Sequence, residues 1–182
     1  AYSSVAHTGF ILVGVIALSP QGLSGTLFYL LAYGFTTLAS FAVVTLVRDS
    51  SGEATHLSQW AGLGRKSPLV AGTFAFLLAA LAGIPLTSGF MAKFAVFSAG
   101  VEGGATALVV VGVVASAVTA FFYARVIVLM FFSDPPPDGP TVAVPSGFTA
   151  GAIAVGLAVS VVLGVLPQPV LDLAGRASQF VY

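Results

Sequence analysis

The sequence predicts an all-α, polytopic membrane protein of about five spans, one of them a broken helix. Three observations carry this expectation. Of the 182 residues, 58% are hydrophobic and only 7% are charged, against about 25% charged in an ordinary soluble domain. The apolar runs are continuous over about 20 residues, as bilayer-crossing helices require, rather than alternating over about ten as in a barrel. Residues 1–47 contain no Asp, Glu, Lys or Arg. A soluble enzyme, a disordered chain and a nucleic-acid binder are all excluded by this composition. A net charge of zero leaves no basic patch for phosphates. The absence of Cys removes disulfides, thiolate metal sites and Cys nucleophiles together.

The elements follow in order. Ala1-Tyr2-Ser3-Ser4 has no Met, basic n-region or cleavage site, so it is not a signal peptide. The chain reads as the C-terminal part of a longer polypeptide. The first span covers about 1–18 and ends at the turn signal Ser19-Pro20-Gln21-Gly22. The second, 23–47, has 25 residues, or about 37 Å of helix. Residues 48–67 hold five charges, His56 and three Gly, and read as a wet loop with a short amphipathic turn at 57–60 that sets Trp60 at the membrane interface. The apolar stretch 69–100 is interrupted at 83–89 by Gly83-Ile84-Pro85-Leu86-Thr87-Ser88-Gly89. It is too long for one straight span and too short for two, so it reads as half-helix, unwound segment and half-helix. Spans at 105–132 and 148–166 follow, separated by the proline-rich loop 133–147, and the tail is expected to form a turn or two of interfacial helix. Arg48, Arg65 and Lys66 lie in one loop, with Arg125 nearby, whereas the opposite side has only Arg176. The positive-inside rule then puts loops 48–67 and 133–147 in the cytoplasm and the C-terminus outside.

Lys93 is the one formal charge between Lys66 and Glu102. It falls just after the break, near mid-membrane, where a lysine costs about 3 kcal/mol on insertion scales. One reading makes it a structural cation held by unwound carbonyls or a carboxylate. The other makes it a titrating site, because a buried amine exchanges its proton nearer neutrality than an exposed one. Gly83, Pro85 and Gly89 free backbone groups that lipid cannot satisfy, so the break must face protein or a watery cavity, as in transporters. A simple proline kink is the alternative for the break alone. His7 sits among Tyr2, Ser3, Ser4 and Thr8 and is either a proton carrier or a histidine bonded to a neighbouring backbone group. Tyr29, Tyr33, Thr36 and Thr37 form a polar face at spacings of three and four, and Tyr123 lies in the fourth span. Such hydroxyls make either a proton wire or helix–helix glue. Arg125 reads as a snorkelling anchor and His56 as solvated. No catalytic triad, paired intramembrane carboxylates, metal-ligand cluster or phosphate loop is present, so no catalytic, metal or cofactor-binding residue is expected.

Two segments carry a resemblance. Ala1-Tyr2-Ser3-Ser4-Val5-Ala6-His7-Thr8-Gly9-Phe10 resembles the AYSS-x-x-H-x-G helix of the antiporter-like subunits of respiratory complex I, the proton-translocating NADH:quinone oxidoreductase. Leu81-Ala82-Gly83-Ile84-Pro85-Leu86-Thr87-Ser88-Gly89-Phe90-Met91-Ala92-Lys93-Phe94 is similar to the LAGIP-x-T-x-GF-x-x-KF broken helix of their N type, the mitochondrial subunit 2 type. Tyr29-Leu30-Leu31-Ala32-Tyr33 and Gly62-Leu63-Gly64-Arg65-Lys66-Ser67-Pro68 also fit, and the likeness covers nearly the whole chain. The L type carries His and Lys where Tyr33 and Thr37 stand here, and the M type carries Glu at the position of Lys93. Both departures favour the N type.

The resemblance implies a fourteen-helix fold with two inverted five-helix repeats, of which this chain holds roughly helices 10 to 14. It implies that Lys93 is the terminal lysine of the second half-channel and that His7 lies on the polar axis, with Tyr33, Thr37 and Tyr123 as further candidates for the proton pathway. The expected role is part of a proton channel coupled to NADH oxidation and quinone reduction in a bacterial plasma membrane. NADH, FMN, iron–sulfur clusters and quinone are expected in partner subunits. Other membrane-arm subunits, lipids and protons are the expected partners, and nucleic acid is not. A subunit of a multisubunit Na⁺/H⁺ antiporter and a proton-inert scaffold are the rival readings.

Overall fold

The computed structural model describes residues 2–49, 52–136 and 139–178. Helix α1, Tyr2–Ile16, leads through a tight turn into α2, Pro20–Val44. Ser19 starts α2 by accepting a hydrogen bond from the Gly22 N–H at 3.0 Å, and Pro20 occupies the first turn, where its missing N–H costs nothing. After α2 come β1 (Val47–Asp49), β2 (Gly52–Glu53), a 3₁₀ turn (Leu57–Trp60) and the short helix α3 (Leu63–Lys66). Next are α4 (Pro68–Ala82), α5 (Ser88–Glu102), α6 (Thr106–Phe132), β3 (Thr141–Val142), α7 (Gly147–Val165) and α8 (Gln168–Ser178).

Helices α2, α6 and α7 are each long and apolar enough to cross a membrane. Helices α4 and α5 have 15 residues each, about 22 Å of helix, short of the ~30 Å hydrocarbon core. In tandem they run from one end of the bundle to the other. Gly62, just before α4, packs on Pro135, and Gly103, just after α5, packs on Ala17. Between them the chain is unwound over 83–87. Gly83 ends α4 at φ 87°, the left-handed conformation that favours glycine, and Leu86 also has a positive φ, 70°. Gly89 is not part of the unwound segment but lies in the first turn of α5.

Two features depart from the expected loops. Strands β1, β2 and β3 pair antiparallel in the order β2-β1-β3, with Arg48 opposite both Glu53 and Thr141. This small sheet ties the end of α2 to the approach to α7. Trp60 is buried rather than interfacial. It packs on Phe74 at 4.9 Å between ring centroids and donates its indole N–H to the Ala54 carbonyl at 3.2 Å. A tryptophan whose N–H finds a backbone acceptor has no need of the headgroup layer. The tail is also longer than expected, since α8 has 11 residues.

Helix α2 packs against α1, α4, α5, α7 and α8. Its contact with α7 is close because α7 carries Gly156, Ser160 and Gly164 at intervals of four, a stripe of small residues that lets backbones approach. Gly156 lies against the Phe35 carbonyl and Ala39, and Gly164 lies against Leu86 and Thr87 of the unwound segment. One apolar cluster, with Trp60, Phe74, Leu77 and Met130, fills the end near the sheet. A second, with Phe10, Phe28, Tyr29, Val96 and Leu163, surrounds the break.

A Cβ at Gly164 would lie 2.3 Å from the Leu86 carbonyl oxygen, where no side chain can yield. Gly164→Val in the full-length subunit is expected to destabilise the fold by about 1–3 kcal/mol, the range for overpacking, and Gly164→Ala by less. Thermal melting in detergent, followed by gel filtration, checks the order of the three proteins.

Candidate functional site

Lys93 lies on α5 and is only 6% exposed. Its ammonium donates to the Ala82 carbonyl at 2.8 Å, to the Leu81 carbonyl at 3.2 Å and to Ser116 Oγ at 2.9 Å. The two carbonyls are the open end of α4, which no further helical turn satisfies because the chain unwinds there. They are also the negative pole of that helix. The Lys93 stem lies over Gly83, where a Cβ would come 3.1 Å from Cδ. The Phe10 ring covers the ammonium with its centroid 5.2 Å away, within cation–π range. Lys93 is thus held by dipoles and a ring. Among the described residues the ion pair present is Arg65–Asp134, far exposed on the loops, where such a pair contributes little.

His7, on α1, is 2% exposed. Nδ1 lies 2.9 Å from Tyr29 OH and Nε2 lies 3.3 Å from Tyr123 OH. Both ring nitrogens therefore meet hydroxyls, which donate or accept as the tautomer demands. Tyr123 OH also hydrogen-bonds Ser3 Oγ. Tyr33 stacks on the imidazole at 4.6 Å and donates its hydroxyl to Ser4 Oγ at 3.1 Å. Helices α1, α2 and α6 thus bring His7, Tyr29, Tyr33 and Tyr123 into one cluster, with Ser3 and Ser4 at its rim.

Phe10 stands between this cluster and Lys93. It is one helical turn beyond His7 and contacts that ring edge-on at 5.7 Å. A space of only about 10 Å³ separates His7, Tyr29 and Tyr33 from Leu81, whose carbonyl holds Lys93.

A third group sits beside the break. Ser88 Oγ is 2.9 Å from Ser160 Oγ and 3.4 Å from Thr36 Oγ1. The hydroxyl of α2 that faces this group is that of Thr36. Thr37, one residue further round the helix, stays outside it, and its buried Oγ1 has no partner among the described residues. Of the other residues singled out, Arg125 is exposed on α6 and His56 is exposed in its loop. Ser116, Ser88 and Ser160 were not singled out by the sequence. The one available signal was a lone serine in each apolar helix, which does not say which way it faces.

The fold and this interior define a polytopic helical membrane protein built around a discontinuous helix, with a buried lysine at the discontinuity and a buried histidine–tyrosine cluster beside it. The chain belongs to the NADH:quinone oxidoreductase/Mrp antiporter transmembrane family, whose pattern matches residues 1–119. It is 71% identical over 180 residues to NADH-quinone oxidoreductase subunit N of Rhodococcus opacus, covering 99% of this chain and 33% of that protein. It is 71% identical over 181 residues to subunit N 3 of Streptomyces griseus, covering 100% of this chain and 33% of that protein. The chain therefore spans about a third of the length of these relatives. Its fold matches a chain of respiratory complex I from Thermus thermophilus with a TM-score of 0.79 at 28% identity, covering 94% of this chain and 38% of that one. It matches a chain of the Mrp complex from Dietzia sp. with a TM-score of 0.81 at 28% identity, covering 98% and 41%.

The Ser116 hydroxyl is one of three acceptors of a buried ammonium. Ser116→Ala is expected to destabilise the full-length subunit by about 1.5–3 kcal/mol, the value of a hydrogen bond to a charged group. The same change in a Lys93→Met background should cost clearly less, and a double-mutant cycle by thermal melting measures the difference.

Proposed function

We propose that this chain forms the second half of the proton-conducting part of an N-type membrane subunit of NADH:quinone oxidoreductase, with Lys93 as its proton-exchanging group. The observation that carries the reading is the ammonium of Lys93 on the open carbonyl end of α4. Helix-end carbonyls hold a cation without permanently neutralising it, as a buried carboxylate would. Lys93 can then give up its proton without leaving an unpaired buried anion, which would be costly. His7, Tyr29 and Tyr123 form a second proton-capable cluster on the other side of Phe10. In this reading a proton moves between the two when hydration bridges that ring, and changes of charge elsewhere in the membrane arm alter the affinity of Lys93.

The redox chemistry belongs to partner subunits. Iron–sulfur ligation needs thiolates, and the chain has no Cys. Among the described residues no three His, Cys, Asp or Glu side chains gather as a metal site. No step is routed through flavin, cluster or quinone here. The loops 48–67 and 133–147 would face the cytoplasm and α8 the outside of a bacterial plasma membrane. The likeness to the Mrp chain supports a second reading as a cation/proton antiporter subunit. The 71% identity to N subunits favours the first.

Lys93→Ala in the full-length subunit, within the assembled complex in membrane vesicles, is expected to lower proton pumping and coupled quinone reduction several-fold while a native gel shows normal assembly. Unchanged pumping in an assembled complex would overturn the reading. Dependence of activity on Na⁺ rather than on quinone would favour the antiporter.

A further inference from the structure

Two cavities flank α5 and meet at Ser98. The first, of about 400 Å³, is lined by Lys93, Ser116 and Ser98 together with Phe94, Phe97 and Val113. The second, of about 690 Å³, is lined by Ser98 together with Gln21, Ser24, Glu102, Asp172 and Arg176. This second cavity lies at the end of the bundle opposite the β-sheet, where Gly103 meets Ala17. Helix α8 forms one wall, and Ser24 fastens it by donating to the Leu171 carbonyl at 3.1 Å. Asp172 and Arg176 are one turn apart on α8 and both face the cavity.

The surroundings of Lys93 are therefore lopsided. Toward His7 there is about 10 Å³ of space, less than a buried water requires, and toward Ser98 there is room for several waters at about 30 Å³ each. Ser116 and Ser98 supply hydroxyls along that side. Two carboxylates against one guanidinium leave the outer cavity with a net negative charge, which draws protonated water and repels anions.

We propose that Lys93 exchanges protons with the aqueous phase through this route, past Ser98 into a vestibule where Glu102 and Asp172 are the proton-exchanging groups and α8 is the wall. The inference rests on the proton-translocating reading of Lys93. In each passage the ammonium gives one proton to water, water hands one to a carboxylate, and the carboxylate releases one to bulk; no other bond changes. Helix α8 thereby has a part in conduction besides covering α2.

The chain has no Cys, so Ser98→Cys introduces a single thiol into it. The test uses the full-length subunit in the assembled complex in sealed vesicles, with a membrane-impermeant maleimide added to either side. Leu173→Cys, on the exposed face of α8, reports which side α8 occupies. Ser98→Cys is expected to react from the same side as Leu173→Cys and not from the other, and its labelling should lower pumping several-fold. Glu102→Gln with Asp172→Asn should lower protons pumped per quinone reduced, with Glu102→Asp and Asp172→Glu retaining most of the activity. A thiol at 98 that does not react, or reacts from the opposite side, overturns the route. So does normal pumping in an assembled Glu102→Gln, Asp172→Asn complex. If that double variant fails to assemble, the labelling decides alone. Lost pumping in Lys93→Ala beside normal pumping in the vestibule variant rejects the route and leaves the proton reading standing. Normal pumping in Lys93→Ala rejects both.

Discussion

An ammonium group on the open carbonyl end of a half-helix is the interaction on which the rest of this structure depends. A lysine cannot be left bare in a bilayer core, and carbonyls cannot be left bare there either. Lys93 and the end of α4 solve each other's problem. The solution requires α4 to stop in mid-bundle, which Gly83 permits by entering the left-handed region. It requires the chain to restart as α5 so that Lys93 can reach back across the gap. It also requires a neighbour thin enough to cover the gap, and the small-residue stripe of α7 meets that need.

The second polar cluster is organised on a different principle. His7 is not held by charge but by hydroxyls on both ring nitrogens and by a stacked tyrosine. Every member has a local partner, so the cluster satisfies itself without drawing on Lys93. Phe10 belongs to both neighbourhoods, one ring touching the imidazole edge-on and facing the ammonium. An apolar ring between two proton-capable groups acts as insulation, since no proton crosses it without intervening water.

What was legible in the sequence was whatever one residue or one short run decides. The apolar runs gave the membrane class and the all-α fold, because hydropathy needs no knowledge of neighbours. The break was expected over 83–89 and lies at 83–87, since Gly83 and Pro85 act on their own backbone, whereas Gly89 turned out to be helical. What depended on partners was not legible. The choice between Thr36 and Thr37 is set by the rotation of α2 against α5 and α7. Ser116 matters because α6 happens to bring it to Lys93. Trp60 left the expected interface because Ala54 and Phe74 offered it a better site. The small sheet pairs residues 48 and 141, a long-range match between loops too short to carry a strand pattern of their own.

The contact of α7 with the unwound segment has a mechanical side. Gly164 meets Leu86 and Thr87 with no side chain between, and Gly156 meets α2 in the same way. Side chains cushion most helix contacts, because rotamers absorb small displacements before backbones feel them. Here there is no cushion. A shift of α7 toward the bundle arrives undiminished at the residues that terminate α4, and thus at the carbonyls that hold Lys93. The helix behaves as a stiff pushrod rather than a spring, and its outer face is where a neighbouring subunit would have leverage on the charge at the centre.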